Sequence, residues 1–409
     1  VDILSRHDTQ TLDRLNWQSY SFGLYESVDG IAESWDRFVD GKNIFLSTAY
    51  LSALEVATPE RMSFYYVLVE DDNGVQGVIY FQLIHFNAGV SLNYNRNGQS
   101  SKTGKLRKAI RDFLAQRIDF YALICGNSAI TGPHGFYFNE NIDHETQLSI
   151  VDCCLDWVKN AAINKGFDVQ LIFIKDFYRP VFTHSDRCTT FPQYNEFQAQ
   201  PGMIMPLRDS WNTFDDYMSD LQSKYRTRVK RAKKKCALVE RRSLSQEDIL
   251  AIESQLYKQY RAIADKASFN LSILDTKYFS TLKEKLKDKF HVYGYFEKGE
   301  LIAFYSMIEN NSGLEAHFLG YEESVNKERQ IYLNMLLDII EFCITNNCSK
   351  ILFARTALEI KSSVGAEAHD MYIYLQHSKG FHNKFLPLIY SILDPKEEWI
   401  ARTPFRDKD

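Results

Sequence analysis

The chain has 409 residues, 45% hydrophobic and 25% charged, with a formal net charge of −5. That is an ordinary globular mixture, long enough for about two to three domains, and its net charge argues against a surface coated in basic charge for nucleic acid. No apolar run reaches the roughly twenty residues a spanning helix needs, and residues 1–8 lack a basic-then-apolar leader, so the expected setting is the cytoplasm with no membrane span. The seven cysteines are odd in number and have neither CxxC spacing nor interleaved histidines, which argues against a disulfide framework or a metal site.

Residues 1 to about 17 are polar and are expected to fray. Residues 31–38 read as a short helix with Trp35 and Phe38 inward, and Ser47 is placed to cap a second helix carrying Tyr50, Leu51 and Leu54. Strand-like runs at 63–70 and 77–86 flank Asp71-Asp72-Asn73-Gly74, a hairpin signal. Residues 87–104 read as a loop and 105–117 as a basic helix. A short apolar strand at 120–125 runs into the most glycine-rich loop of the chain, 126–135. A helix over 147–164, a strand over 169–175, an irregular stretch over 176–200 and a strand over 203–207 complete this half.

Residues 213–236 read as one helix, with Phe214, Tyr217, Leu221, Tyr225, Val229, Ala232 and Cys236 near one face. The other faces carry eight cations between Lys224 and Lys235 without one acid, which is costly in self-repulsion and favours an anionic partner over a merely solvated surface. Lys224 and Arg228, four apart, are placed to meet phosphates.

Ser245 and Asp248 have the spacing of a capping box. A helix at 277–286 and a second hairpin, 291–296 with 301–308, lead through Asn310-Asn311-Ser312-Gly313 into a strand at 314–321. The apolar residues from Ile331 to Ile344 cover most of a helix surface, so the helix at 330–345 should be buried until Asn346-Asn347 ends it. A strand at 350–355 follows. Strand, helix and strand joined this way form a crossover with parallel strands, and ligands usually bind at the C-terminal edge of such a sheet.

The order hairpin, strand, loop, helix, strand therefore occurs twice. The fold class expected is α/β with a mixed sheet, in two copies of one domain: 18–207, a basic linking helix over 208–242, and 243–392.

The candidate site lies in the second copy. Lys361, just past a strand end, could polarise a carbonyl, or could simply pair with Glu359. Arg355 suits a carboxylate or phosphate. Glu315, His317 and Tyr321 should share one strand face, where Glu315 or His317 could accept a proton. In the first copy, Gly132 and Gly135 could belong to an anion nest or to a tight connector.

This order of elements resembles the GNAT superfamily of acyltransferases, and two such domains in tandem around a charged helix resemble the Fem-type peptidyltransferases and their FemAB-like relatives. The resemblance covers roughly residues 30 to 385. It is carried by Ser-Lys-Tyr-Arg-Thr-Arg-Val-Lys-Arg-Ala in the linker, His-Phe-Leu-Gly-Tyr at 317–321, and Ala-Leu-Glu-Ile-Lys-Ser-Ser-Val-Gly at 357–365. It implies two GNAT-like N-acyltransferase domains moving an acyl or aminoacyl group onto an amine, in cell-envelope or peptidoglycan-precursor metabolism. Lys361, His317 and Glu315 would be catalytic, while Arg355, Glu359, Tyr321, Lys224 and Arg228 would bind substrate. The anionic partner would be acyl-CoA, aminoacyl-tRNA or a nucleotide- or lipid-linked precursor, with no further cofactor. Acetyl-CoA-using members carry a Gln/Arg-x-x-Gly-x-Gly/Ala loop whose amides cradle a pyrophosphate. Glu-Ser-Val-Asn-Lys-Glu-Arg-Gln stands there in the second copy, and Pro133 interrupts the first. Aminoacyl-tRNA suits that departure better than CoA. The alternative is a catalytically degenerate GNAT-fold protein that binds an anionic precursor or tRNA.

Overall fold

The structure, a computed structural model, describes residues 11–58, 62–87, 119–178, 193–266, 272–393 and 399–406. The expected loop beyond residue 87 and the basic helix at 105–117 lie outside these residues.

Strands β1 (Asp13–Trp17) and β2 (Tyr20–Tyr25) form an edge hairpin, so residues 13–17, expected to fray, are paired, while the rest of that expectation, residues 1–10, lies outside the described residues. Helices α1 (Ala32–Val39) and α2 (Thr48–Val56) follow, with Trp35, Tyr50 and Leu51 fully buried. The Ser47 side chain accepts the Tyr50 amide, satisfying a donor that the helix start leaves open. β3 (Met62–Asp71) and β4 (Gly74–Asn87) are the expected hairpin, tightened by the Asp71 carboxylate on the Asn73 amide at 2.7 Å. β5 (Asp119–Cys125), β6 (Phe136–Phe138), α3 (His144–Asn164), β7 (Val169–Tyr178) and β8 (Asn195–Pro206) complete the first half.

The basic segment is two helices, not one: α4 (Phe214–Asp220) and α5 (Ser223–Lys235). The break falls where the Gln222 amide donates to Pro404 O at 2.8 Å and Leu221 bridges to Phe405, so the C-terminal tail takes bonds that a continuous helix would have kept. The anticipated apolar face survives the break, with Tyr217, Leu221, Tyr225, Val229 and Ala232 all buried.

β9 (Glu240–Ser243), α6 (Gln246–Ala251), α7 (Glu253–Ala264) and α8 (Tyr278–Leu286) precede the second hairpin, β10 (Phe290–Glu297) and β11 (Glu300–Asn310). Then come β12 (Gly313–Tyr321), a short α9 (Glu323–Arg329), α10 (Ile331–Thr345), β13 (Lys350–Leu352), α11 (Leu358–Ser362), β14 (Glu367–His377), α12 (Gly380–Asn383) and α13 (Leu386–Leu393). Gly320 lets α7 lie directly on β12, since a Cβ there would stand 2.4 Å from the Gln259 carbonyl carbon.

All the strands among the described residues join one sheet in the order β1-β2-β3-β4-β5-β7-β14-β8-β13-β12-β11-β10-β9, with β6 beside β4. The repeat is visible in the pairing: β5 is antiparallel to β4 and parallel to β7, and β12 is antiparallel to β11 and parallel to β13. The last strand of each half crosses over, so that β14 pairs with β7 and β8 with β13. This exchange explains why residues 195–200, expected to be irregular, are strand: their partners lie in β14, some 170 residues on. α3 covers the first half's sheet and α10 the second's, whereas α1, α2, α6, α7 and α8 share one core that fuses the halves. Among the described residues no helix is long and apolar enough to cross a membrane.

Candidate functional site

β12 and β13 pair over three residues only, Gly313 with Lys350 through Glu315 with Leu352. Past that point they part. The expected strand to residue 355 stops at Leu352 because Phe353 and Ala354 turn to Met203 of β8, with the Phe353 amide donating at 2.8 Å and Ala354 O accepting at 3.0 Å. Ala354, Thr356 and Ala357 then adopt left-handed backbone angles, φ 56, 68 and 49°, a concentration of strain outside glycine. On the other side β12 bulges. Met307 faces Ala316 and Tyr305 faces Leu319, so His317 and Phe318 together oppose Ser306.

The bulge overturns one expectation. One extra residue reverses the alternation, so Tyr321 lies across the sheet from Glu315 and His317, beside Tyr332 with ring centroids 6.0 Å apart. His317 and Phe318 instead share the core formed by α7 and α8. The His317 ring meets Tyr278 Oη at 3.0 Å and Ser306 Oγ at 3.1 Å, and burial pushes its pKa down to about 3. The imidazole is therefore neutral, with both nitrogens engaged.

Glu315 stands where the strands part. Burial pushes its carboxyl up to about 7 against the weaker opposing effects of Asn310 and Lys350. Asn310 donates to Glu315 Oε1 at 3.2 Å and is itself fixed by the Ile44 amide at 3.0 Å, so the first half orients the second half's carboxyl. Near Glu315 lies Tyr178, at the end of β7. Burial, then the charges of Glu315 and Asp176, push its hydroxyl up, with Arg355 opposing.

Beside them is a buried ion cluster. Lys175 Nζ lies 2.9 Å from Asp176 Oδ2 and donates to Ile130 O at 3.0 Å, and Arg355 Nη1 lies 3.5 Å from Asp176 Oδ1. Asp176, at φ 61°, also accepts the Gly132 amide at 3.0 Å. Burial raises the Asp176 pKa, but Arg355 and Lys175 outweigh it and hold the carboxyl below its usual range.

No family model matches the chain, and no curated protein sequence matches it. Among solved structures, FemX superposes with a TM-score of 0.50 at 10% identity, over 89% of this chain and 97% of its own. A tandem GNAT protein from the clavulanic acid biosynthesis pathway superposes with a TM-score of 0.50 at 9% identity, over 88% of this chain and 99% of its own. The chain has the tandem GNAT fold of the FemAB-like kind. At these identities the likeness is one of fold.

The start of α10 is capped locally. The Asn326 carboxamide takes the Tyr332 amide at 3.0 Å, and Asn326 O takes the Gln330 amide at 2.7 Å. In the other GNAT half, the Gly132 amide goes to Asp176, and a Cβ at Gly135 would meet Cys125 Sγ at 2.9 Å. Among the described residues no group of three His, Cys, Asp or Glu could hold a metal ion.

Lys361 is buried and pairs with no carboxylate. Its ammonium donates to Phe353 O at 2.5 Å, Arg355 O at 2.6 Å and Ala354 O at 3.4 Å, and burial lowers its pKa to about 7. Glu359 faces outward to Arg402. Lys224 is exposed over the Tyr225 ring, and Arg228 donates to Ser363 Oγ at 2.9 Å. The Tyr178 hydroxyl thus lies within electrostatic reach of both Glu315 and Arg355, while Tyr321, Glu359, Lys224 and Arg228 lie elsewhere. Sequence reasoning missed Lys175, Asp176, Tyr178 and Asn310. The adjacent opposite charges that close the apolar run Leu171 to Ile174 were the available signal.

Proposed function

We propose that this protein transfers an acyl or aminoacyl group from an activated carbonyl donor to an amine, in the opening between β12 and residues 353–357. The observation that carries the reading is Glu315: a carboxyl buried where the two strands part, titrating near neutrality, with Oε1 held by Asn310 and Oε2 taking no bond from the described residues. A general base works best when its pKa lies near the working pH.

In this reaction the amine attacks the donor carbonyl carbon and its proton passes to Glu315. The carbon–oxygen or carbon–sulfur bond to the leaving group then breaks. Arg355, bonded to Asp176 no closer than 3.5 Å, has donors to spare for the oxyanion that develops. Lys361 serves by holding the carbonyls on either side of Ala354, which fixes where Arg355 stands.

Aminoacyl-tRNA suits the capped start of α10 better than acyl-CoA, and the cations of α5 suit an anionic donor of either kind. A cell-envelope or peptidoglycan-precursor acceptor follows from the resemblance alone. The capped helix start also favours a second reading, a GNAT-fold protein that holds an anionic precursor without turning it over. Native mass spectrometry of the purified chain with acetyl-CoA, long-chain acyl-CoA and charged tRNA, each with and without an amine, separates the two. Transfer predicts that one donor binds and is consumed only when the amine is present. A donor that binds and stays intact supports the second reading.

A further inference from the structure

Three large apolar side chains face water along the last described helices. Phe381 in α12, Phe385 in the turn that follows it and Leu388 in α13 are 71, 45 and 62% exposed, with the two phenyl rings 5.1 Å apart. This stripe is firmly mounted. Asn383 accepts from Asn195 Nδ2 and from the His377 amide and donates to Gln193 O at 2.9 Å, while Leu386 is buried with Phe197, Ile373 and Leu375. Its exposure is therefore not the fraying of a loose end.

Cations flank it. From Met371 to Leu393 the sequence holds Lys379 and Lys384 with His377 and His382 and no aspartate or glutamate, while Asp168, just before β7, lies near His377. Lys379 and Lys384 are both exposed. A stable protein partner needs about 800 Å² of surface per side, more than three side chains supply. A bilayer asks for less: aromatic and leucine side chains at the headgroup boundary, with cations beside them for anionic lipid.

We propose that this edge docks on an anionic phospholipid surface, with Phe381, Phe385 and Leu388 entering the boundary between headgroups and acyl chains and Lys379 and Lys384 meeting lipid phosphates. The surface is separate from the Glu315 opening and does not depend on the transferase reading.

The test is flotation of the full chain with vesicles of phosphatidylcholine alone and of phosphatidylcholine containing one-third phosphatidylglycerol. Wild type should float with the anionic vesicles. The double change Phe381→Ser and Phe385→Ser should lower partitioning at least about tenfold, and Lys379→Gln with Lys384→Gln should erase the preference for phosphatidylglycerol. A Phe381→Trp chain adds a signal that needs no loss of binding: its emission should shift to the blue on anionic vesicles beyond any wild-type change. Failure of wild type to float overturns the proposal, as does flotation that survives the phenylalanine changes or an unshifted Trp emission. A monomer–dimer equilibrium abolished by the same changes, without vesicle binding, assigns the stripe to a second copy instead.

Discussion

Arg355, three residues past the end of β13, sets its guanidinium 3.5 Å from the carboxylate of Asp176, which has no exposure and belongs to β7 of the other half. Each inner strand kinks through a left-handed residue two positions after its last partner on the parallel neighbour, Asp176 after Ile174 and Ala354 after Leu352. The contact between the halves is thus made at their strained ends. Asp176 Oδ1 accepts no hydrogen bond, which leaves room for the pair to tighten around a ligand.

Asp176→Ala should destabilise the fold by about 3 to 5 kcal/mol, because it leaves the Lys175 ammonium buried with one carbonyl for a partner. The native carboxyl titrates below its ordinary 3.8, so the stability it contributes is present above that pH and is lost as pH falls through the lower, folded value. Urea melts at pH 7 and in acid check both statements. Equal midpoints for wild type and variant at pH 7 would count against the cluster as a structural tie.

Glu315→Gln makes the opposite prediction for stability. The folded state keeps a proton between pH 4.5 and about 7 that the unfolded chain releases, so Glu315 costs stability as pH rises through that window, on the order of 3 kcal/mol in all. The glutamine variant should be more stable than wild type at pH 8 and no more stable at pH 4.5. A destabilised variant at pH 8 would mean that the ionised carboxylate is well paired.

Lys361→Met should loosen residues 353–355 by removing the donor from their carbonyls, a cost of at least about 1 to 3 kcal/mol at pH 10, where the amine is neutral, that shrinks toward pH 6. Because the folded pKa is lowered from 10.5 to about 7, the folded chain releases a proton that the unfolded chain keeps between those values, so wild-type stability rises with pH across that window and the variant lacks the rise. Calorimetry from pH 6 to 10 reads it. The transfer rate should fall about ten- to a thousand-fold as Arg355 shifts.

On α5, Lys233 is tied to Asp338 and Glu341 at 3.5 and 3.3 Å, and Arg228 to Ser363, whereas Lys230, Arg231 and Lys234 are exposed. Changing those three to Gln should flatten the salt dependence of heparin binding by up to about one counterion per contact removed. An unchanged slope returns the helix to ordinary solvated surface.

The sequence made legible what is local. The hairpin around Asp71 to Gly74, the caps at Ser47 and Ser245 and the buried helix from Ile331 each depend on residues within a few positions of one another. The site was legible only in part. Glu315 and Arg355 could be singled out, but the bulge at His317 and Phe318, which moves Tyr321 to the far face, is one residue of register that alternation cannot show. The exchange of β8 and β14, the partnership of Asp176 with Arg355 and the hold of Asn310 on Glu315 depend on contacts that only folding creates. The break at Leu221 answers to a tail nearly two hundred residues later.

The most direct test of the transferase reading is the single-turnover transfer rate, followed against pH for wild type and Glu315→Gln, with the donor that native mass spectrometry selects. Wild type should rise with pH around an apparent pKa near 7, as the buried carboxyl becomes able to accept a proton. Glu315→Gln should be at least about a hundredfold slower and lose that rise. A glutamine variant that transfers at the wild-type rate, with the same pH profile, would contradict the account.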